Sequence, residues 1–419
     1  MAFRDYTLIT IEQQSNSAFP TRGESGNSLT MVLDFVSTGE IVNSWQNLTD
    51  TAKIKIPRNI YVNDESNNPL GFGAEPNKRG LNIYGSDSTP PLFMRGDKIK
   101  IELGLYIDNY DGTETLEVDE VFSGYIASIK NRVPIEIDCE DEMWKMKQIN
   151  VVNKVWLASE YDAQSMLTEM LTGTGIKVVD GVEGSIKTNI GDFRTQNETV
   201  GAVLARLKSA GLYSYFRNNE LRCSGIVYYP GDRTGDVVDA AGNKGTIFGF
   251  QENIISDNLE YQRKEDLNIA IKASAEVVNA GSTNNNDGTP KTKRERLEVM
   301  IGKDGEAMTE VKRKAYFGDV ISVPILGAKT LEELTQRAKE YLPKFYYTGF
   351  KGMFTTFGRP FIRHGDAVII RDNMLPERNG TYLVKQVVTS FGTGGLRQKI
   401  LLHVRIDKGY TVQQINSGL

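Results

Sequence analysis

Two histidines, His364 and His403, and two cysteines, Cys139 and Cys223, are the chain's whole stock of imidazole and thiol groups. A zinc finger or a disulfide scaffold is therefore excluded, and a histidine base must be one of those two residues. His364 precedes a strand at a turn. His403 alternates with Leu402 and Val404 in a strand that also carries Ile400, which turns it to the face opposite them. Neither lies in a Gly-x-Ser-x-Gly elbow, which the sequence lacks. Cys139 and Cys223 sit at alternating positions beside apolar neighbours and read as small buried hydrophobes rather than nucleophiles. Carboxylates crowd at Asp138, Glu140, Asp141 and Glu142, where a metal cluster is conceivable and a solvated strand end is the default. Asp108 to Gly112 and Asn284 to Gly288 resemble calcium loops. Both put a non-ligand, Ile107 or Thr283, where the first ligand must be an Asp. Gly392-Thr393-Gly394-Gly395 lacks the Gly-Lys-Ser/Thr of a phosphate loop and reads as a flexible turn between strands. The basic run Lys291 to Arg296 reads as a solvated strand edge. The expectation is no catalytic, cofactor-binding or metal-ligating residue.

The 419 residues suggest roughly three domains at about 150 residues each. Hydrophobic residues make up 39% and charged ones 25%, enough to bury sizeable cores. Lys and Arg total 49 against 54 Asp and Glu, and a net charge of -5 argues against a chain that chiefly grips phosphates. Forty Gly, 18 Tyr and 17 Phe lean towards β structure with many turns. No apolar run approaches the ~18 residues of a membrane span, and Met1 to Asp5 does not open a signal peptide. A soluble protein made in the cytoplasm is expected.

Strands are predicted at Tyr6 to Glu12, Leu29 to Phe35 and Thr51 to Ile56, with long polar stretches between them and from Asn63 to Pro91. A hairpin follows, Asp97 to Leu103 and Glu117 to Ile129, turning at Asp111-Gly112. Ile135, Ile137 and Cys139 then alternate with Glu136, Asp138 and Glu140, and a short helix spans Glu142 to Gln148. After Ile149 the period becomes helical. Ala163, Met166, Leu167, Met170 and Leu171 follow the cap Asp162, and Val200, Val203, Leu204 and Leu207 precede Gly211. A hairpin from Leu212 to Cys223 turns at Asn218-Asn219. From Ile226 the chain is β again, with a mobile loop at Asn279 to Pro290. A helix opens at the capping box Thr330 to Glu333, with Leu331, Leu334, Ala338 and Tyr341 inward, and is expected to end at Pro343. The last strands are Ala367 to Arg371, Gly380 to Val388 and Arg397 to Ile406.

Two of these β segments share an outline. Arg95-Gly96-Asp97 leads into a strand, then Phe122-Ser123-Gly124-Tyr125-Ile126, then Ile135 to Cys139. His364-Gly365-Asp366 leads into a strand, then Asn379-Gly380-Thr381-Tyr382-Leu383, then Lys399 to His403.

The run Val121 to Ile126 followed by Ile135 to Asp141 resembles the first barrel of phage baseplate hub proteins of the late control D type. Thr199 to Leu207, Gly211 to Phe216 and Glu220 to Cys223 are similar to their small α/β domain. Phe357-Gly358-Arg359-Pro360-Phe361-Ile362-Arg363-His364-Gly365-Asp366, with Gly380 to Val384 and Gly392 to Gln398, is similar to their second barrel. The resemblance covers most of the chain from about residue 95 onwards. It implies a mainly β (α+β) fold, with two tube-like β-barrel domains related by pseudo-symmetry and a small α/β domain between them. The corresponding ranges are 1–148, 149–225 and 226–408, the last with the loop 279–290 and the helix 330–342, followed by a tail at 409–419.

The same resemblance implies a structural baseplate hub of a phage tail or related contractile injection machine. As a homotrimer it would adapt the sixfold tail tube to the threefold central spike, line the channel and allow DNA or protein cargo to pass. Its partners would be itself, the tail tube protein, the central spike protein and other baseplate proteins. It would reside in the virion tail baseplate, assembled in the host bacterial cytoplasm, without enzymatic activity or cofactor. Two other classes compete: a cell-wall glycoside hydrolase, which needs only two carboxylates, and a carbohydrate-binding tail adhesin.

Overall fold

The computed structural model describes residues 3–15, 30–57, 62–63, 69–70, 92–109, 112–130, 132–180, 190, 192–209, 211–225, 237–239, 242, 244–284, 290–325 and 328–407. The chain is mainly β and divides into two compact units. The first comprises Met1–Lys145, Thr355–Arg363 and Gln386–Ile400; the second comprises Met146–Phe354, His364–Lys385 and Leu401–Leu419.

In the first unit, an antiparallel ladder follows the order Thr30–Leu33, Phe3–Glu12, Lys98–Asp108, Glu114–Lys130, Ile135–Glu140, Thr51–Ile56, Thr38–Ser44 and the end of Gly380–Gly392. The period-2 apolar pattern turns one face of every strand inward. Ile9, Met31, Ile54, Ile101 and Ile137 are fully buried in one cluster with Phe93 and Phe122. Register shifts at Ile101/Glu102 and Ile126/Ser128 mark β-bulges, which increase the local twist. The path does not close on itself among the described residues, so strand pairing does not make the expected closed barrel.

The strand Thr38–Ser44 falls in a stretch expected to be loop. Its inward face carries Gly39, Ile41 and Asn43, so only Ile41 offers an apolar signal. Asp50 stabilises the turn that follows, accepting from Asn43 Nδ2 and the Ser44 N–H, both at 2.9 Å.

The second unit begins with the α/β elements. Helix Ala163–Met170 has the predicted cap: Asp162 accepts from the Ser165 N–H and Ser165 answers the Asp162 N–H. Helix Val200–Ser209 buries Val200, Val203, Leu204 and Leu207. The hairpin Tyr213–Arg217 and Glu220–Ser224 turns through Asn218 and Asn219, at φ +54° and +60°. This is the left-handed pair that a two-residue hairpin requires.

Further on, Lys244–Gly249 pairs in parallel with Ala367–Arg371, which pairs antiparallel with the start of Gly380–Gly392. A separate sheet, ordered Pro290–Ile301, Ile269–Asn284, Asp319–Pro324, is covered by helix Leu331–Phe345 through Leu334, Ala338, Tyr341 and Leu342.

Two expectations fail here. Asn279 to Asn284 is strand rather than loop, because Asn279 pairs with Lys293 and Ala280 with Thr292; cross-strand bonding outweighs the weak β propensity of Asn and Gly. Residues 285–289 lie outside the described residues. The helix also runs past Pro343 to Phe345, and the Tyr346 N–H closes it on the Leu342 carbonyl at 2.9 Å. In the last turn, Pro forfeits only one bond. Most of Asn63 to Pro91, and the tail 409–419, lie outside the described residues.

Candidate functional site

The repeated outline resolves into a shared backbone device. In the first unit, Gly96 takes φ +95°, its N–H donates to the Ile126 carbonyl at 2.8 Å, and the Ile126 N–H donates to the Asp97 carbonyl at 2.9 Å. In the second, Gly365 takes φ +82°, its N–H donates to the Val384 carbonyl at 2.9 Å, and the Val384 N–H donates to the Asp366 carbonyl at 2.8 Å. A positive φ is available cheaply only to Gly, so the Gly-Asp pair is a conformational requirement. Both aspartates are buried. Asp97 accepts from the Gln14 N–H (3.0 Å) and the Met94 N–H (2.8 Å), tying three chain segments together.

The two cradles fix which residues correspond. Lys98 faces Tyr125 where Ala367 faces Leu383, so the counterpart of Tyr125 is Leu383, not Tyr382. Aligning the tyrosines would have exchanged the two faces of the strand.

The candidate chemical residues are spent on structure. His364 is buried edge-on to Tyr215, with ring centroids 5.3 Å apart, and its carbonyl accepts from Arg217 Nη2 at 2.7 Å. His403 is half-buried while Ile400, Leu402 and Val404 are buried, as the alternation predicts. Both cysteines are free and buried. Burial pushes the Cys139 thiol well above its ordinary range, and Cys223 Sγ lies 3.2 Å from Ser214 Oγ. Neither thiol should react with a water-soluble disulfide reagent in the native protein, whereas both should in denaturant. A rapid native reaction at either would contradict the packing.

The acidic cluster is not a solvated strand end. Asp141 and Glu142 are buried. Asp141 accepts from the Met143 N–H, and Glu142 from Tyr125 OH (3.1 Å) and Lys145 Nζ (2.8 Å). Asp138 pairs with Lys130 at 2.6 Å. Glu136 pairs with Lys130 at 2.9 Å, with Arg132, and with Lys53 at 3.7 Å. Among the described residues, no group of acidic, His and Cys side chains is placed to hold a metal.

Hydrogen bonds from Lys130 and then Arg132 hold Glu136 down to about 2, from an ordinary 4.5. A depressed folded-state pKa stabilises the fold above the ordinary value, and that stability is lost as pH falls from 4.5 to about 2. Glu136→Gln should therefore flatten the acid limb of a plot of Tm against pH. An unchanged slope would show that these bonds do not matter.

Gly392 to Gly395 is a turn whose Thr393 N–H and Oγ1 both donate to the Ser37 carbonyl, and the Leu396 N–H donates to Asp5 Oδ2 at 3.0 Å. It is anchored rather than flexible. In Asp108 to Gly112, residues 110–111 lie outside the described residues, and Asn109 Nδ2 is held by the Thr113 and Thr115 hydroxyls. Lys291 to Arg296 lies in the edge strand Pro290–Ile301, and Arg296 pairs with Glu298 at 2.9 Å. Asn284 to Gly288 falls almost entirely outside the described residues.

Two structural residues had no sequence signal. Arg405 lies in a strand between apolar residues and is buried. It reaches Asp407 through two bonds (2.6 and 3.0 Å), the Thr348 carbonyl (2.8 Å) and the Asn379 carbonyl (2.5 Å). Arg217 ends a hairpin strand and is equally buried. Arg217→Ala should cost about 1.5–3 kcal/mol, the worth of a charged hydrogen bond, read from denaturant unfolding. A loss below about 0.5 kcal/mol would mean that the His364 carbonyl finds water instead.

The chain is thus mainly β, with a few helices among its strands. Its fold is that of phage tail proteins. A tail protein from Neisseria meningitidis superposes with a TM-score of 0.51 at 12% identity, over 95% of this chain and 96% of that one. The 43 kDa tail protein of prophage MuSo2 from Shewanella oneidensis gives 0.51 at 11% identity, over 94% and 98%. A chain of the lidded Francisella PdpA–VgrG complex gives 0.50 at 11% identity, over 97% of this chain and 53% of that one. No protein-family model matches the sequence, and no curated protein matches it.

Proposed function

We propose that the chain is a structural hub protein of a phage tail or related injection machine. It acts as a homotrimer that joins the sixfold tail tube to a threefold central spike and lines the channel between them. The observation that carries this reading is the pair of Gly-Asp cradles. One cradle lies in each unit, and each leads into strands paired antiparallel. Two related wall segments per chain let three chains present six near-equivalent positions, and heterologous contacts close a ring only between near-equivalent partners. The tail-protein fold supports the same reading.

The proposed division is a first tube-like domain at 1–148, the α/β domain at 149–225 and a second tube-like domain at 226–408. The tube protein, the spike and other baseplate proteins are its partners, the virion tail its location, and DNA or protein cargo the traffic through its channel. The chain has no turnover of its own; a zymogram on purified cell wall should stay blank, and a cleared band would revive the hydrolase. Electron microscopy of the assembled tail end decides the main claim. Three chains forming a six-part ring are expected, and a ring of six chains, or a single chain on the axis, would overturn it.

A further inference from the structure

Phe317 is 93% exposed, yet its backbone is held by a hydrogen bond from a neighbouring segment. Asn268 is the tether. Its Nδ2 donates to the Phe317 carbonyl, its own carbonyl accepts from the Asp319 N–H at 3.0 Å, and its Oδ1 accepts from Tyr316 OH at 3.5 Å. Gly318 allows the wrap, since a Cβ there would lie 2.4 Å from the Asn268 carbonyl. An aromatic ring with no neighbours of its own is thus presented on a fixed stalk. A rigid exposed aromatic loses little entropy on docking, which is how binding anchors behave.

The stalk leads into Asp319–Pro324, an edge strand whose outer side has no partner among the described residues. Residues 317–320 are all exposed, so both faces of the strand's start are bare, and Val320 is 46% exposed. The nearby helix Glu310–Lys314 adds Val311, 78% exposed. A bare edge with apolar side chains is a template for a further strand.

The same unit has a second bare edge. Ile254–Gln262 pairs only with Gly349–Phe357 among the described residues, and its residues 255–258 are all exposed. The two edges differ in charge. Glu252, Asp257 and Glu260 mark the second, while Lys312, Arg313 and Lys314 flank Phe317, offset in part by Glu310 and Asp319.

We propose that the Phe317 edge of one copy docks on the Ile254–Gln262 edge of a second copy. The ring seats beside Ile255 and the lysines face the acidic residues. The contact is heterologous, so each copy keeps one edge of each kind and the chain of contacts must close into a ring. This rests on the homotrimer reading and supplies the surface that reading lacks.

Light scattering on the full chain and disulfide crosslinking test it together, because the two native thiols are buried. The wild type should run at three times 46.7 kDa. Phe317→Asp and Ile255→Asp, both at exposed positions, should each weaken association by at least about 100-fold in concentration. A mixture of Phe317→Cys and Ile255→Cys chains should crosslink on oxidation, whereas neither should alone. If trimers persist in both Asp variants and the mixture does not crosslink, this edge contact is wrong and the trimer stands. If Phe317→Cys crosslinks to itself, the contact is isologous and the proposal fails. If in assembled tails it crosslinks to another tail protein instead, the edge serves that partner and the proposal fails. A monomeric wild type overturns both readings.

Discussion

Arg405→Ala will lower the unfolding free energy by about 3–5 kcal/mol, the expected loss when one member of a buried ion pair is removed. The Arg405 side chain is 2% exposed and Asp407 19%, so water cannot replace the guanidinium. Three acceptors lose their donor at once: the Asp407 carboxylate and the carbonyls of Thr348 and Asn379. The aromatic neighbour Tyr382, fully buried, loses the cation 5.8 Å from its ring centroid. Arg405→Met should restore little, because the loss is electrostatic rather than volumetric. The double change Arg405→Ala with Asp407→Ala should recover part of it, since the stranded carboxylate is gone. Denaturant midpoints for the three variants measure this. Equal losses in the single and double variants would show that the carbonyl contacts, not the ion pair, carry the energy.

Asp97→Ala should cost about 2–6 kcal/mol, at roughly 1–3 for each of the two N–H donors that lose their acceptor. The donors are the Gln14 and Met94 N–H groups, so the variant loosens the join between the first strand, the Leu92–Met94 segment and the meander. Asp97→Asn keeps one acceptor oxygen and should lose about half as much. Gly96→Val probes the same cradle through the backbone: φ +95° is strained for a branched residue, and a Cβ would stand 3.2 Å from Trp144. Asp366→Ala, at the corresponding place, should destabilise in the same direction. If Asp97→Ala and Asp366→Ala differed in sign, the two cradles would not be equivalents and the case for two related walls would weaken.

The first of these residues was invisible before the fold was known and the second was half visible. Gly-Asp before a strand stands out in one dimension because only Gly accepts the turn, and it occurs twice with a meander behind it. The same local logic revealed the Asp162 cap, the Asn218-Asn219 turn and the helix at Thr330, each set by a few adjacent residues. Arg405 is different. It sits among Val404 and Ile406, and nothing nearby says that Asp407, Thr348 and Asn379 converge on it.

What the sequence determined by itself was the order of elements, the inward faces of strong strands and the shift to helical period after Ile149, all of which depend on side-chain spacing within one segment. Only the tertiary structure decided the rest. Thr38–Ser44 is a strand because Thr51–Ile56 and the end of Gly380–Gly392 pair with it on its two sides. Asn279 to Asn284 is a strand because Pro290–Ile301 supplies its hydrogen bonds. Tyr125 corresponds to Leu383 because register is set between strands. The acidic cluster became ion pairs and caps instead of a solvated end because the folded hairpin sets Lys130 against Asp138 and the turn after it brings Tyr125 and Lys145 onto Glu142. In each case the deciding energy is a hydrogen bond or a charge pair between elements that only folding brings side by side, and side-chain spacing within one segment carries no record of it.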